Sequence, residues 1–164
     1  MPLLHTSRLT IVPFGLELVE AALRSREELG KRLLVEVPES WPGPDYAEVL
    51  PGIAEWGRVH GGLEDWAGLI IHPARRKLIG DIGFKGGPDE HGRIEIGYSV
   101  VPEERRQGYA SEAVRAMIDW ALQQPGVKTV VAECEVDNTA SIRVLEKAGL
   151  RQVGMVDGLL KWEL

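Results

Sequence analysis

The chain has 164 residues, 44% of them hydrophobic, and a formal net charge of -6. That length suits one domain, residues 1–164, with a core of its own. The acidic balance repels nucleic acid and anionic membranes, so neither is an expected partner. A single cysteine, Cys134, excludes an intrachain disulfide and a thiolate metal cluster.

The opening residues show no charged stretch followed by an apolar one, so no export signal is read and the cytoplasm is the expected location. No apolar run approaches the length of a membrane span. Residues 9–13 alternate as a first strand. Leu16, Val19 and Leu23 recur at helical spacing, and Ser25 with Glu28 forms a capping box for a short second helix through Leu33. Residues 37–44 hold three prolines, Trp41 and Gly43, and read as a loop. Asp45 is the expected cap of a third helix with an apolar face of Tyr46, Val49, Leu50, Ile53 and Trp56. Pro51 should kink or divide that helix.

Residues 67–72, 77–84 and 93–100 read as three strands joined by short antiparallel connections. Ala110, Val114, Met117, Ile118 and Ala121 form the buried stripe of a helix that Pro125 and Gly126 end. Residues 129–136 are a valine-rich strand; Cys134 within it reads as a buried structural thiol. Residues 138–148 form a helix stopped by Gly149, with Leu150 as the apolar contact of the cap. Asp157-Gly158 marks a closing hairpin. The fold class is therefore α+β, a mixed, mostly antiparallel sheet of about seven strands with helices on both faces. The strand ending at Val100 and the one starting at Thr129 are joined by a helical crossover and should run parallel.

Two motifs carry chemistry. The first is V-P-E-E-R-R-Q-G-Y-A-S, residues 101–111, between a strand and a helix. Gly108 lets backbone approach a ligand, and the helix beyond presents unpaired N–H groups at a positive dipole end. Together they suit a phosphate or pyrophosphate. Taken alone, the plain alternative is a basic turn that caps a helix. The second is Asn138-x-x-Ser141-x-x-x-Leu145-Glu146-Lys147-x-Gly149-Leu150. Neither a Rossmann fingerprint nor a P-loop occurs.

In order and spacing the two motifs resemble the GNAT N-acetyltransferases, which move an acyl group from coenzyme A to an amine. The opening L-H-T-S-R-L-T-I-V-P-F and the I-E-I-G-Y run are most similar to the subgroup acetylating ribosomal-protein N-termini. The resemblance implies that the two parallel strands splay apart and that acetyl-CoA lies in the gap as cosubstrate. Carried onto this chain, Arg105, Arg106, Gln107, Gly108, Tyr109, Ala110 and Ser111 would surround the pyrophosphate. Tyr98, Ser99 and Val100 would offer strand backbone to pantetheine, with a backbone N–H near Val100 as the oxyanion donor. Asn138 would contact cofactor, cap its helix, or both. Trp41 would lie in a loop bordering the acceptor pocket.

The reaction needs a neutral amine, whereas an alkyl ammonium has a pKa near 10.4, so a base is required. Glu95 is the candidate. Strand alternation puts Glu95, Gly97 and Ser99 on one sheet face and Ile94, Ile96, Tyr98 and Val100 on the other. The plain alternative is a solvated glutamate pairing with Arg93 or Lys85. Many family members place a thiolate-protonating tyrosine seven residues after the asparagine; here that residue is Leu145. Ser141 is therefore the candidate acid, the alternative being a serine that only satisfies a first-turn N–H. His5, His60, His72 and His91 form no metal ligand set and read as solvated turn residues. The acceptor is an amine on a small molecule or a peptide. A catalytically weak CoA-binding regulatory module is the alternative function, and either a monomer or a homodimer fits.

Overall fold

The computed structural model describes all 164 residues. Eight strands form one sheet in the order β1-β2-β3-β4-β5-β6-β8-β7. The first strands are β1, Leu4–His5, and β2, Thr10–Pro13. Then come α1, Leu16–Arg24, α2, Arg26–Leu33, and α3, Pro44–His60. The sheet resumes with β3, Ala67–His72, β4, Lys77–Phe84, and β5, Arg93–Val100. The chain closes with α4, Tyr109–Ala121, β6, Thr129–Glu135, α5, Thr139–Ala148, β7, Arg151–Val156, and β8, Leu159–Glu163. The strand beyond the expected seven is β1. Two residues carry no period to read, and pairing of Leu4 with Ile11 creates it.

Strand alternation splits the core in two. Ile79, Ile82, Ile94 and Ile96 pack on one face with Val114, Met117 and Leu145 from α4 and α5. Leu69 and Leu78 pack on the other with Val19, Leu29, Trp41, Leu50 and Ala54, beneath α1–α3. Each fully buried aliphatic side chain contributes roughly 1.5–3 kcal/mol, so both layers are held independently of any ligand.

The helical region departs from expectation in detail. The cap of α3 is Gly43, with Pro44 at the first helical position and Asp45 in the first turn. Pro44 fixes its own φ, which removes the need for a side-chain cap. Pro51 does not divide α3; it is exposed, while Leu50 and Ala54 anchor the opposite side. Val49 and Trp56 face outward, and Trp56 stacks on His60. The Ser25 box is half formed: its hydroxyl accepts from the Glu28 N–H, but the Glu28 carboxylate turns to Arg24 and Arg32. Asp157 and Gly158 both take positive φ, 52° and 80°, as a tight hairpin turn requires.

One topological feature positions the site. β5 and β6 run parallel but pair only from Arg93–Thr129 to Glu95–Val131. Beyond Val131, β6 continues its pairing with β8, while β5 continues its pairing with β4 through Val100. The two strands part after Glu95 and leave a gap.

Candidate active site

In β5, the Glu95 carbonyl accepts from the Lys85 N–H, and the Val101 N–H donates to the Ile79 carbonyl, so odd-numbered backbone groups face β4. By alternation the Tyr98 and Val100 N–H groups face the gap. Ser99, expected to offer backbone to the cofactor, instead points its N–H and carbonyl at β4. The Arg105 Nε caps the Val100 carbonyl at 3.0 Å, ending the strand. The chain then turns through Arg106, φ 62°, and Gly108, φ 80°, into α4. No side chain caps the α4 N-terminus, so the first-turn N–H groups at Tyr109, Ala110 and Ser111 are free for a ligand. A Cβ at position 108 would meet only Arg8 Nη2, at 3.4 Å. Space, free donors and a positive helix end together fit an anion such as the CoA pyrophosphate.

Two carboxylates beside this loop would repel an anion if left uncompensated. Arg75 Nη2 and Lys77 Nζ hold the buried Glu104 at 2.7 and 3.1 Å. The Arg75 hydrogen bond chiefly keeps its carboxyl below the usual range. Burial opposes ionisation of Glu112, but donors from Thr6, Arg8 and Ser7 outweigh it and hold this carboxyl low as well. Arg8 also donates to the Gln107 carbonyl at 2.9 Å, so that acceptor is satisfied within the chain. The Gln107 amide reaches back to Glu104 at 3.4 Å, although the residue remains exposed. Tyr109 is buried under the Arg8 guanidinium, 4.6 Å from its ring centroid, which leaves only its N–H for a ligand. His72, expected to be solvated, meets Tyr109 edge-on, and its Nδ1 is buried without a partner. The Arg106 side chain is exposed at the loop.

Across the gap stands the α5 N-terminus. Asn138 Oδ1 accepts from the Ser141 N–H at 3.1 Å, so Asn138 is the helix cap. The Ser141 hydroxyl lies 2.8 Å from the Tyr98 phenol oxygen. Burial pushes that phenol up to about 12, so it stays protonated at neutrality. Leu145 is fully buried in the core. A phenol is thus restored on this side of the gap, from β5 rather than from α5. The residue letter alone could not show this, since a strand tyrosine is ordinarily a packing residue.

The opposite sheet face carries two further groups of ionisable residues. Lys85 pairs with Glu95 and, at 3.3 Å, with Glu133, which Lys161 also holds. These four line a cleft of about 420 Å³. A second depression of about 530 Å³ lies beside α2, lined by Arg26, Glu27, Lys31, Leu34, Glu36 and Arg76, and includes no residue of β5 or β6. Toward the other end of β5, Asp81 is 8% exposed. Its Oδ2 accepts from Trp41 Nε1 at 2.8 Å and from the Ser99 hydroxyl at 2.9 Å. Burial pushes its carboxyl up to about 6, against the lowering effect of those two donors. Burial, then the charge of Asp81, pushes the nearby Tyr46 phenol up. Trp41 itself is 1% exposed, a wall of this cluster rather than an open contact surface. Asp81 was not among the expected site residues. The available signal was a lone acid inside the apolar run L-I-G-D-I-G-F.

The acetyltransferase (GNAT) domain matches residues 8–151, most of the chain and both motifs. The chain belongs to the GNAT acetyltransferase family. It is therefore an acetyl-CoA-dependent N-acetyltransferase. An uncharacterized N-acetyltransferase of Bacillus subtilis, YjdG, is 36% identical over 152 residues, covering 91% of this chain and 89% of that one. A GNAT acetyltransferase structure from Bacillus anthracis shares the fold at TM-score 0.69 and 22% identity, covering 99% of this chain and 98% of that one. RimL, the ribosomal L7/L12 α-N-protein acetyltransferase solved with coenzyme A, matches at TM-score 0.69 and 16% identity, covering 99% and 97%. No helix of the GNAT chain is long and apolar enough to cross a membrane.

Proposed function

We propose that this GNAT chain binds acetyl-CoA in the β5–β6 gap, with the pyrophosphate at residues 106–111, and passes the acetyl group directly to a primary amine. The observation that carries this reading is the uncapped, glycine-opened helix N-terminus at the mouth of the gap, with both flanking carboxylates neutralised. The cosubstrate supplies the activated thioester. The Val100 N–H, facing the gap, holds the acyl carbonyl, and Tyr98 backbone lines the pantetheine path. Ser141, backed by the protonated Tyr98 phenol, meets the departing sulfur. Two carboxylates on that sheet face are candidates for the amine proton: Glu95, as the sequence suggests, directly or through water, and Asp81.

The acceptor is a small-molecule amine or a peptide α-amine. Support for the second comes from the fold shared with RimL. The reading is tested by incubating the chain with acetyl-CoA and a panel of spermidine, glucosamine, 2-phenylethylamine and a short peptide with a free N-terminus, with thiol release as readout. Amine-dependent thiol release is the expected result. No release above hydrolysis with any amine, alongside intact CoA binding, would favour the regulatory-module alternative.

A further inference from the structure

We propose that Asp81 is the group that receives the acceptor amine and takes its proton, in a seat formed with Ser99 and the open backbone at Gly97. This assignment rests on the acetyl-transfer reading above and goes beyond it by choosing between the two carboxylates.

Position decides first. Asp81 and Ser99 are direct partners across β4 and β5, and Ser99 precedes the Val100 proposed to hold the acyl carbonyl. Glu95 lies four residues from Ser99, about 13 Å along a strand at about 3.3 Å per residue. Reacting atoms must approach to about 3–3.5 Å, so an amine held at Glu95 is too far from that carbonyl. Lys85 also engages one oxygen of the Glu95 carboxylate, Oε1.

Valence decides second. Asp81 Oδ2 already takes two donors, Trp41 and Ser99. Its Oδ1 accepts none from the chain and is not among the buried polar atoms sealed without a partner. One oxygen is fixed and the other is free for an incoming N–H. Space is provided at Gly97, on the same face, where a Cβ would find nothing within 4 Å. The surroundings are otherwise neutral: Leu69 is the partner on β3, Trp41 comes from the loop, and Tyr46 of α3 is the titratable neighbour. A buried carboxyl near 6 is still ionised at neutral pH yet basic enough to take a proton.

In the step, the amine nitrogen bonds to the acyl carbon and the carbon–sulfur bond breaks. The electron pair leaves on sulfur, and the amine proton moves to Asp81 Oδ1. The sulfur is met by the Ser141 hydroxyl or leaves as thiolate.

The test measures kcat/KM against pH for the wild type, Asp81→Asn, Ser99→Ala and Glu95→Gln, with the amine panel above, beside CoA affinity and thermal midpoint. Asp81→Asn should lower kcat/KM by roughly 10²–10⁴ and abolish an acidic limb near pH 6, with CoA affinity unchanged. Ser99→Ala removes a donor to the charged carboxylate and should move that limb to higher pH; this variant also decides the matter if Asp81→Asn fails to fold. Glu95→Gln should keep the limb. An active wild type whose limb survives Asp81→Asn, or ignores Ser99→Ala, overturns the Asp81 assignment alone. A wild type that releases no thiol with any amine overturns the acetyl-transfer reading, and Asp81 with it.

Discussion

Asp81 and Glu95 share one face of one sheet, on adjacent strands, yet they sit in opposite environments. Glu95 is half-exposed and engaged by a lysine, in a cleft with a second carboxylate and a second lysine. Asp81 is buried, touched by two neutral donors, with one oxygen unengaged. A carboxylate engaged by a lysine shares one of its oxygens with a full positive charge. A carboxylate held by an indole and a hydroxyl already has a spare lone pair. The lesson is that the neighbours of an acid, more than its place in a motif, decide whether it can act as a base.

The largest expected effect removes the stage on which either acid acts. Gly108→Asp puts a like charge and a strained φ at the pyrophosphate loop. It should weaken CoA binding at least about 100-fold, roughly 2.7 kcal/mol, in calorimetry. Equal affinity in a folded variant would withdraw the cosubstrate site and make the comparison of the two acids moot.

Next is stability. The Asp81 carboxyl rises from 3.8 to about 6 on folding. The neutral form is therefore favoured in the folded state. Its contribution is complete below 3.8 and is lost as pH rises through 6. Asp81→Asn cannot ionise and keeps it, so the variant should be more stable than wild type at pH 7.5 by up to roughly 2–3 kcal/mol. At pH 3 the difference should vanish. A variant less stable at pH 7.5 would mean that the carboxylate serves the fold and not the amine.

Ser141→Ala should cost about tenfold in transfer rate, roughly 1.4 kcal/mol. It acts at the sulfur, which neither acid reaches, so the acidic limb should stay where it is. Asn138 still caps α5 through the backbone N–H at 141, so the thermal midpoint should hold. A normal rate with a lowered midpoint would confine Ser141 to the helix.

Glu95→Gln should have the smallest effect: a loss under about threefold, and less than about 1 kcal/mol in stability, because exposed ion pairs contribute little. A loss of 10² or more, with the acidic limb gone, would reverse the ranking and restore Glu95 as the base.

Much of this was legible in the sequence. Strand alternation gave the two faces of β5, and Gly149 marked the end of α5. The helical crossover predicted the parallel pair. Asn138 as a cap followed from the spacing to Ser141. What escaped was tertiary. Asp81 reads as a misplaced charge until Trp41, forty positions earlier, is folded against it. Tyr98 is expected to offer only its backbone until α5 brings Ser141 to its hydroxyl. The role of Ser99 changed once the register showed which side of β5 its amide faces. Trp56 reads as core by period and faces solvent because α3 is rotated to bury Ala54 and Gly57 instead.

The clamp of Thr6, Ser7 and Arg8 on Glu112 has a consequence for how the molecule matures. These contacts join residues more than a hundred positions apart, 104 to 106 in sequence. Contacts of that separation close late, after local helices and hairpins have formed. The α4 N-terminus can therefore exist before its neighbouring acid is neutralised and before Arg8 reaches the Gln107 carbonyl. During refolding, fluorescence from the tryptophans should recover first and the ability to capture CoA should follow as a separate, slower phase. Cosubstrate capture then reports completion of the whole chain, first residues included, rather than the formation of its own loop.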